Sequence, residues 1–313
     1  MDTLNLVDSE LRPLLAVFPT STLTPATLDA ARNRSMPLGE IKDCGVGLER
    51  RAVPGPSDAP DITLHIYRPE ASVGPLPCIF HMHGGGYVLG GAKDYEAMHR
   101  PLAAELGCVI VSVDYRLAPE TIFPGAVEDC YAGLAWTFAH AEDCGIDAKR
   151  IGVMGESAGG GLAAALALLA RDRAEYPLAF QHLIYPMIDD RTCVVSPVNP
   201  VAGEFIWPAH NNHFGWASLL GREPGGEDIS AYAAAARADS VLGLPPTFIA
   251  SGALDLFVDE DIAYATRLMR AGIPTELHVY PGAFHAFDMM PGARVAEAAR
   301  RDSQAALKQF MSV

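Results

Sequence analysis

Between residues 150 and 166 the chain reads as a strand, a sharp apex and a helix, and few folds accommodate that arrangement. The apolar run Ile151-Gly152-Val153-Met154 leads into Gly155-Glu156-Ser157-Ala158-Gly159. It continues as Gly160-Gly161-Leu162-Ala163-Ala164-Ala165-Leu166, an apolar, alanine-rich helix. Glycines on either side of the apex tolerate unusual backbone angles and let helix and strand approach closely. Ser157 is left at the N-terminus of a helix, where its hydroxyl is accessible and the helix dipole favours negative charge. The pentapeptide is not decisive alone. With 29 glycines in 313 residues, it arises by accident in roughly one chain in eight of this composition, and it then reads as a glycine-rich strand-to-helix turn.

A second motif lies about 70 residues upstream. Pro77-Cys78-Ile79-Phe80-His81-Met82 reads as a buried strand, and His83-Gly84-Gly85-Gly86-Tyr87 follows it directly. Three consecutive glycines suit a loop whose amides point into a cavity with no side chains in the way. Such amides stabilise the negative oxygen of a tetrahedral intermediate in acyl transfer, and the amide of Ala158, next to Ser157, is the natural companion donor. The other reading, a flexible surface linker, fits poorly after a buried strand.

A nucleophilic serine needs a base, and the base needs a group to orient it. His285 stands in Tyr280-Pro281-Gly282-Ala283-Phe284-His285, directly after the alternating stretch 275–280. Asp255 holds the equivalent place after the apolar stretch 246–252. The chain order Ser157, Asp255, His285 is that of α/β-hydrolases, not of the chymotrypsin or subtilisin folds. Other residues compete for these roles. Asp259 is read as the acidic first turn of the next helix, and His81 and His278 as packed strand histidines. His83 is read as a brace for the glycine loop, and His210 and His213 as surface residues of an insertion, the alternative being contact with substrate. Glu156 alternates away from the nucleophile and is read as a structural partner.

Strands are expected near 46–52, 62–67, 78–83, 108–114, 151–155, 181–185, 247–251 and 276–280. Helices are expected near 95–106, 127–141, 158–171, 259–271 and 295–310. This alternation means an α/β fold, with a mostly parallel central sheet and helices on both faces. In such sheets ligands bind at the carboxyl ends of the strands, which is where Ser157, Asp255 and His285 fall. Two stretches break the alternation: residues 1–44, with a helical pattern near 23–34, and residues 186–245, far longer than a crossover needs. The insertion carries Phe205, Trp207, Phe214 and Trp216 punctuated by prolines. The division is therefore 1–44, a core over 45–185, an insertion over 186–245, and the core resumed over 246–313.

Together, His83-Gly84-Gly85-Gly86, Asp114-Tyr115-Arg116-Leu117-Ala118-Pro119-Glu120, the stretch Phe123-Pro124-Gly125-Ala126 and Gly155-Glu156-Ser157-Ala158-Gly159-Gly160 resemble the hormone-sensitive-lipase-like carboxylesterases. Bacterial members of that group are called family IV esterases. The resemblance implies the α/β-hydrolase fold with a small helical cap made from residues 1–44 and the insertion. It implies a Ser157–Asp255–His285 triad, oxyanion donors at Gly85, Gly86 and Ala158, and Gly84 shaping the loop. One departure is Asp255-Leu256-Phe257 where the family has Asp-Pro-Leu; the aspartate itself is retained. The expected activity is hydrolysis of short-chain, uncharged carboxylic esters through an acyl-enzyme, with no cofactor and no metal. Tyr87, Gly84, Trp207 and Phe214 are expected at the substrate pocket. The alternatives are another acyl hydrolase (a lactonase, amidase or peptidase) or a non-catalytic small-molecule receptor. Related enzymes often dimerise, here through the edge strand near residues 276–280.

A formal charge of −15 argues against nucleic acid or anionic membranes as partners, because both need clustered Lys and Arg. The longest apolar stretch, 158–170, is too short to cross a bilayer. The first residues lack a basic segment followed by an apolar one, and the six cysteines are scattered. A cytoplasmic protein with reduced thiols is expected.

Overall fold

A computed structural model describes residues 3–18, 20–34, 39–57, 59–192, 194 and 199–312. The chain begins with two short helices, α1 (Arg12–Val17) and α2 (Leu28–Arg32), and then enters the sheet with β1 (Val46–Val53), β2 (Ile62–Pro69) and β3 (Leu76–Met82). From there helix and strand alternate: α3 (Glu96–Leu106), β4 (Val109–Asp114), α4 (Gly125–Ala139), β5 (Ile146–Glu156), α5 (Ala158–Arg173) and β6 (Gln181–Ile184). After α6 (Ala209–Leu220) in the long insertion come β7 (Thr247–Gly252), α7 (Val258–Arg270), β8 (Thr275–Tyr280) and α8 (Arg294–Met311).

The eight strands form one sheet in the order β1-β2-β4-β3-β5-β6-β7-β8. β2 pairs antiparallel with β1 and β4, and every other pairing is parallel. The middle strands are buried on both faces, which is why they read as continuous apolar runs. The edge strand β8 alternates polar and apolar residues and is half-exposed. Helix α5 is buried from Ala158 to Ala170, so its uniformly apolar sequence reflects a position inside the protein. Among the described residues, no helix is long and apolar enough to cross a membrane.

The N-terminal helical pattern resolves differently from the expectation over 23–34. Pro25 disfavours helix at the residue before it. Thr24 and Thr27 bond to each other and to nearby backbone groups, so a turn precedes the five-residue α2. Earlier in the chain, α1 packs Leu11 and Leu14 with Phe248, Phe284 and Phe287 in a second apolar cluster under β7 and β8. Residues 20–23 are laced to the insertion: Leu23 N donates to Asn211 Oδ1 (2.8 Å), Asn211 Nδ2 to Ser21 O (2.7 Å) and Ile206 N to Thr20 Oγ1 (3.2 Å). Leu11 and Leu14 therefore serve the sheet's second core, and residues 20–23 the insertion.

Candidate active site

Ser157 caps the carboxyl end of β5 with φ 56° and ψ −122°, a conformation that costs on the order of 1–3 kcal/mol and persists only where surroundings over-determine it. They do so here. A Cβ on Gly155 would stand 2.2 Å from Gly159 O, and one on Gly159 would stand 2.1 Å from Met82 O. Both glycines are thus required by close backbone approach. The apex is tied on both sides: Ser157 N donates to Ile184 O (2.9 Å), and its carbonyl accepts from Met187 N (2.9 Å) and Gly161 N (3.0 Å).

The loops after β7 and β8 are stitched together by Ala253 N to Tyr280 O (2.9 Å) and Leu254 N to Ala283 O (2.8 Å). They bring Asp255 and His285 to Ser157 from about 100 residues and more along the chain. His285 Nδ1 lies 2.8 Å from Asp255 Oδ2, and His285 Nε2 lies 2.9 Å from Ser157 Oγ. The second Asp255 oxygen accepts from Phe257 N (3.0 Å), which fixes the carboxylate plane. The imidazole is held edgewise by Tyr185 and Phe257, with ring centroids at 4.7 and 5.3 Å. With Nδ1–H donated to the carboxylate, Nε2 is left with its lone pair facing the seryl hydroxyl, the tautomer a general base requires. Asp255 is 0% exposed, His285 5% and Ser157 6%, so this chemistry takes place largely out of water.

Opposite the serine, Gly85, Gly86 and Tyr87 all have positive φ (123°, 61° and 67°). A Cβ on Gly85 would meet Leu89 O at 2.2 Å. The amides of Gly85, Gly86 and Ala158 donate to no other group among the described residues; Ala158 is the first residue of α5, where no intrahelical acceptor exists. Gly84 packs beneath, with Glu156 O 3.0 Å and Ser157 Cβ 3.5 Å from where its Cβ would be. Its own amide is spent on Tyr95 Oη (3.0 Å). His83 Nδ1 donates to Gly84 O (2.8 Å) while its ring stacks on Tyr115 at 4.1 Å. Burial pushes the His83 imidazole down to about 4, so it stands neutral as a brace.

The remaining candidates separate clearly. Trp207 lies on the glycine loop, its Cη2 just 2.1 Å from where a Gly86 Cβ would sit, and its Nε1 donates to Asn212 Oδ1 (3.3 Å). Phe214 is half-buried and packs on the main core. Tyr87, expected to line the pocket, is 1% exposed. Its hydroxyl donates to Met187 O (2.9 Å) and its ring meets Trp216. The positive φ at Tyr87 turns the side chain inward. Asp259 is exposed at the start of α7 and accepts from Asn199, away from His285. His210 is exposed and His213 pairs with Glu223 at the surface. His278 pairs with Glu276 on the edge strand.

Glu156, beside the nucleophile, turns to the other face of the sheet and meets His81 Nε2 at 2.9 Å, while His81 Nδ1 meets Ser112 Oγ at 2.9 Å. Burial drives the two in opposite directions, Glu156 up to about 8 and His81 down to about 3. Two further residues, Tyr185 and Asp288, belong to the site and are not singled out by the sequence. Tyr185, just past the carboxyl end of β6, packs against His285 and donates to Asp288 Oδ1 (2.8 Å). Their only signal is positional: residues just past strand ends surround sites of this kind.

A family model described as the alpha/beta hydrolase fold matches residues 79–289. Carboxylesterase NlhH of Mycobacterium tuberculosis is 34% identical over 295 residues, covering 90% of this chain and 88% of that protein. Ethyl acetate hydrolase of Pseudomonas putida is 30% identical over 249 residues, covering 77% and 76%. Among solved structures, a bacterial heroin esterase superposes with a TM-score of 0.91 at 38% identity, covering 99% of each chain.

Proposed function

The chain belongs to the alpha/beta hydrolase family, and on that premise we propose that it is a serine carboxylesterase acting through Ser157, His285 and Asp255. The observation that carries this reading is the continuous Asp255–His285–Ser157 hydrogen-bonded line facing unpaired loop amides. His285 Nε2 takes the seryl proton as Ser157 Oγ bonds to the ester carbonyl carbon. The carbonyl oxygen becomes an oxyanion held by the amides of Gly85, Gly86 and Ala158. Collapse breaks the bond to the alcohol oxygen, which receives the proton from His285. Water then repeats the sequence on the acyl-enzyme, releasing the acid and restoring Ser157.

Short-chain, uncharged esters fit best. The nucleophile and base are nearly unexposed, and Trp207 packs against the glycine loop, so a charged substrate would lose its hydration there. The similarity to an ethyl acetate hydrolase supports the same preference. We read residues 1–44 and 186–245 as a joint cap, supported by the bonds linking residues 20–23 to Ile206 and Asn211. The unpaired side of β8 suits a homodimer seam, and free thiols at Cys44, Cys78, Cys108, Cys130 and Cys144 suit a reducing, cytoplasmic setting.

Wild-type protein should hydrolyse p-nitrophenyl acetate and butyrate and take a fluorophosphonate label at Ser157. Ser157→Ala should lose both while keeping its circular dichroism spectrum. Absence of turnover on every simple ester by wild-type protein sinks the proposal.

A further inference from the structure

We propose that Arg32, on the N-terminal segment, is a positioning residue for the oxyanion loop, acting through the main-chain carbonyls of Val88 and Ala118. This rests on the esterase reading above and adds a residue from outside the catalytic core. One guanidinium reaches four acceptor oxygens in three residues on two loops. Nε donates to Val88 O (2.8 Å), Nη2 to Ala118 O (2.8 Å), and Nη1 and Nη2 to the two Glu120 oxygens (2.7 and 2.9 Å). Ala118 N in turn donates to Tyr87 O (3.0 Å). Arg32 therefore closes a ring through Tyr87, Val88 and Ala118, immediately after the two glycines whose amides face the serine.

Those glycines need an external hold. Gly85, Gly86 and Tyr87 form a run of three positive-φ residues, and such a run persists only when its surroundings impose it. The turn's own bonds, from Val88 N and Leu89 N to Gly85 O, satisfy the inner carbonyl and leave Val88 O to Arg32. Glu120 is 61% exposed on its side chain, so the ion pair contributes little as a surface salt bridge. Its bidentate grip instead fixes the guanidinium plane, so that the remaining N–H groups aim at both carbonyls. Lysine has no planar fork and cannot serve these four acceptor oxygens in this geometry.

A merely structural tether would change stability and leave the chemical step alone. A positioning role predicts a loss in kcat with KM held, because a misplaced oxyanion donor is felt only in the transition state. Losing one donor outright costs roughly 100- to 1000-fold; loosening the loop should cost roughly 10- to 50-fold. We would measure kcat and KM on p-nitrophenyl butyrate for Arg32→Ala and Arg32→Lys, together with inhibition by a trifluoromethyl ketone, which forms an oxyanion on Ser157. Asn211→Ala, which cuts the lacing of residues 20–23 to the insertion without touching the loop, is the control.

The expected result is kcat down about 10-fold or more in both Arg32 variants with KM within about threefold. Ketone affinity should fall in parallel, and added ethylguanidinium, but not an equal concentration of KCl, should restore part of kcat in Arg32→Ala. Should Arg32→Ala fail to fold, Arg32→Lys is read by the same criteria. Wild-type kcat in a folded Arg32 variant overturns the inference, as does an equal kcat loss in Asn211→Ala. Neither outcome touches the esterase reading, which falls only if wild-type protein hydrolyses no ester.

Discussion

Replacing Glu156 with glutamine should make the protein more stable at alkaline pH, although the residue adjoins the nucleophile. The buried carboxyl ionises near its ordinary value of 4.5 in the unfolded chain, and burial pushes it up to about 8 in the fold. Below pH 4.5 both states hold the proton and nothing is gained or lost. Above it the unfolded chain releases the proton while the fold keeps it, so stability falls by about 1.4 kcal/mol per pH unit until the fold ionises too. His81 runs the other way. It is pushed from 6.5 down to about 3, so the fold refuses a proton that the unfolded chain accepts, and stability rises with pH between those values. From pH 4.5 to 6.5 the two slopes cancel, which amounts to one proton shared by the pair. Between pH 6.5 and 8 Glu156 acts alone, and the wild type should lose about 2 kcal/mol that the Glu156→Gln variant keeps.

The amide introduced by Glu156→Gln can still meet His81 Nε2, so the comparison changes the titration and little else. Other buried carboxyls with raised values, Asp288 and Glu260 among them, are present in both proteins and drop out of the difference. Urea unfolding of both proteins at half-unit steps from pH 5 to 9 is the assay. Because His81 is common to both proteins, the gap should open above pH 4.5 and widen by about 2 kcal/mol between pH 6.5 and 8, equivalent to roughly 3 °C in melting temperature. Two curves that stay parallel across that window would mean that Glu156 is already ionised in the fold, and the reasoning would fail.

Gly86→Ala should lower kcat about 100-fold, since its Cβ would fall 2.1 Å from Trp207 Cη2 at a φ of 61°. Adding Trp207→Ala should return part of that loss, and no recovery in the double variant would show that φ alone is limiting. Asp129 is 0% exposed and takes Arg116 through Nε (2.8 Å), Nη2 (2.6 Å) and the backbone amide (3.0 Å). Asp129→Ala should cost about 2–3 kcal/mol in denaturant unfolding, because it removes the charge-assisted bonds while Arg116 stays 30% exposed to water; a loss under about 1 kcal/mol would contradict that reading.

How far the sequence can be read depends on whether a role demands a particular residue type. Strands buried on both faces require apolar runs, so β3, β4, β5 and β7 are visible with ends displaced by only a few residues. A nucleophile, a base and an orienting carboxylate require Ser, His and Asp, and chain order then puts Ser157, Asp255 and His285 past the ends of β5, β7 and β8, where the structure joins them. Gly155 and Gly159 are legible for a related reason, because a close backbone approach excludes every other side chain. The direction of Tyr87 depends on a positive φ of 67°, which leaves no trace in hydrophobic periodicity. The helix expected over 23–34 is too long, because the threonine bonds of residues 24–27 compete locally with helix in a way that composition does not weigh. Arg32 lies furthest from view. Two of its four bonds go to main-chain oxygens, at Val88 and Ala118, and a carbonyl can be offered by any residue. Supports that reach the backbone therefore stay hidden until the fold is known, even when they hold groups whose chemistry the sequence announces.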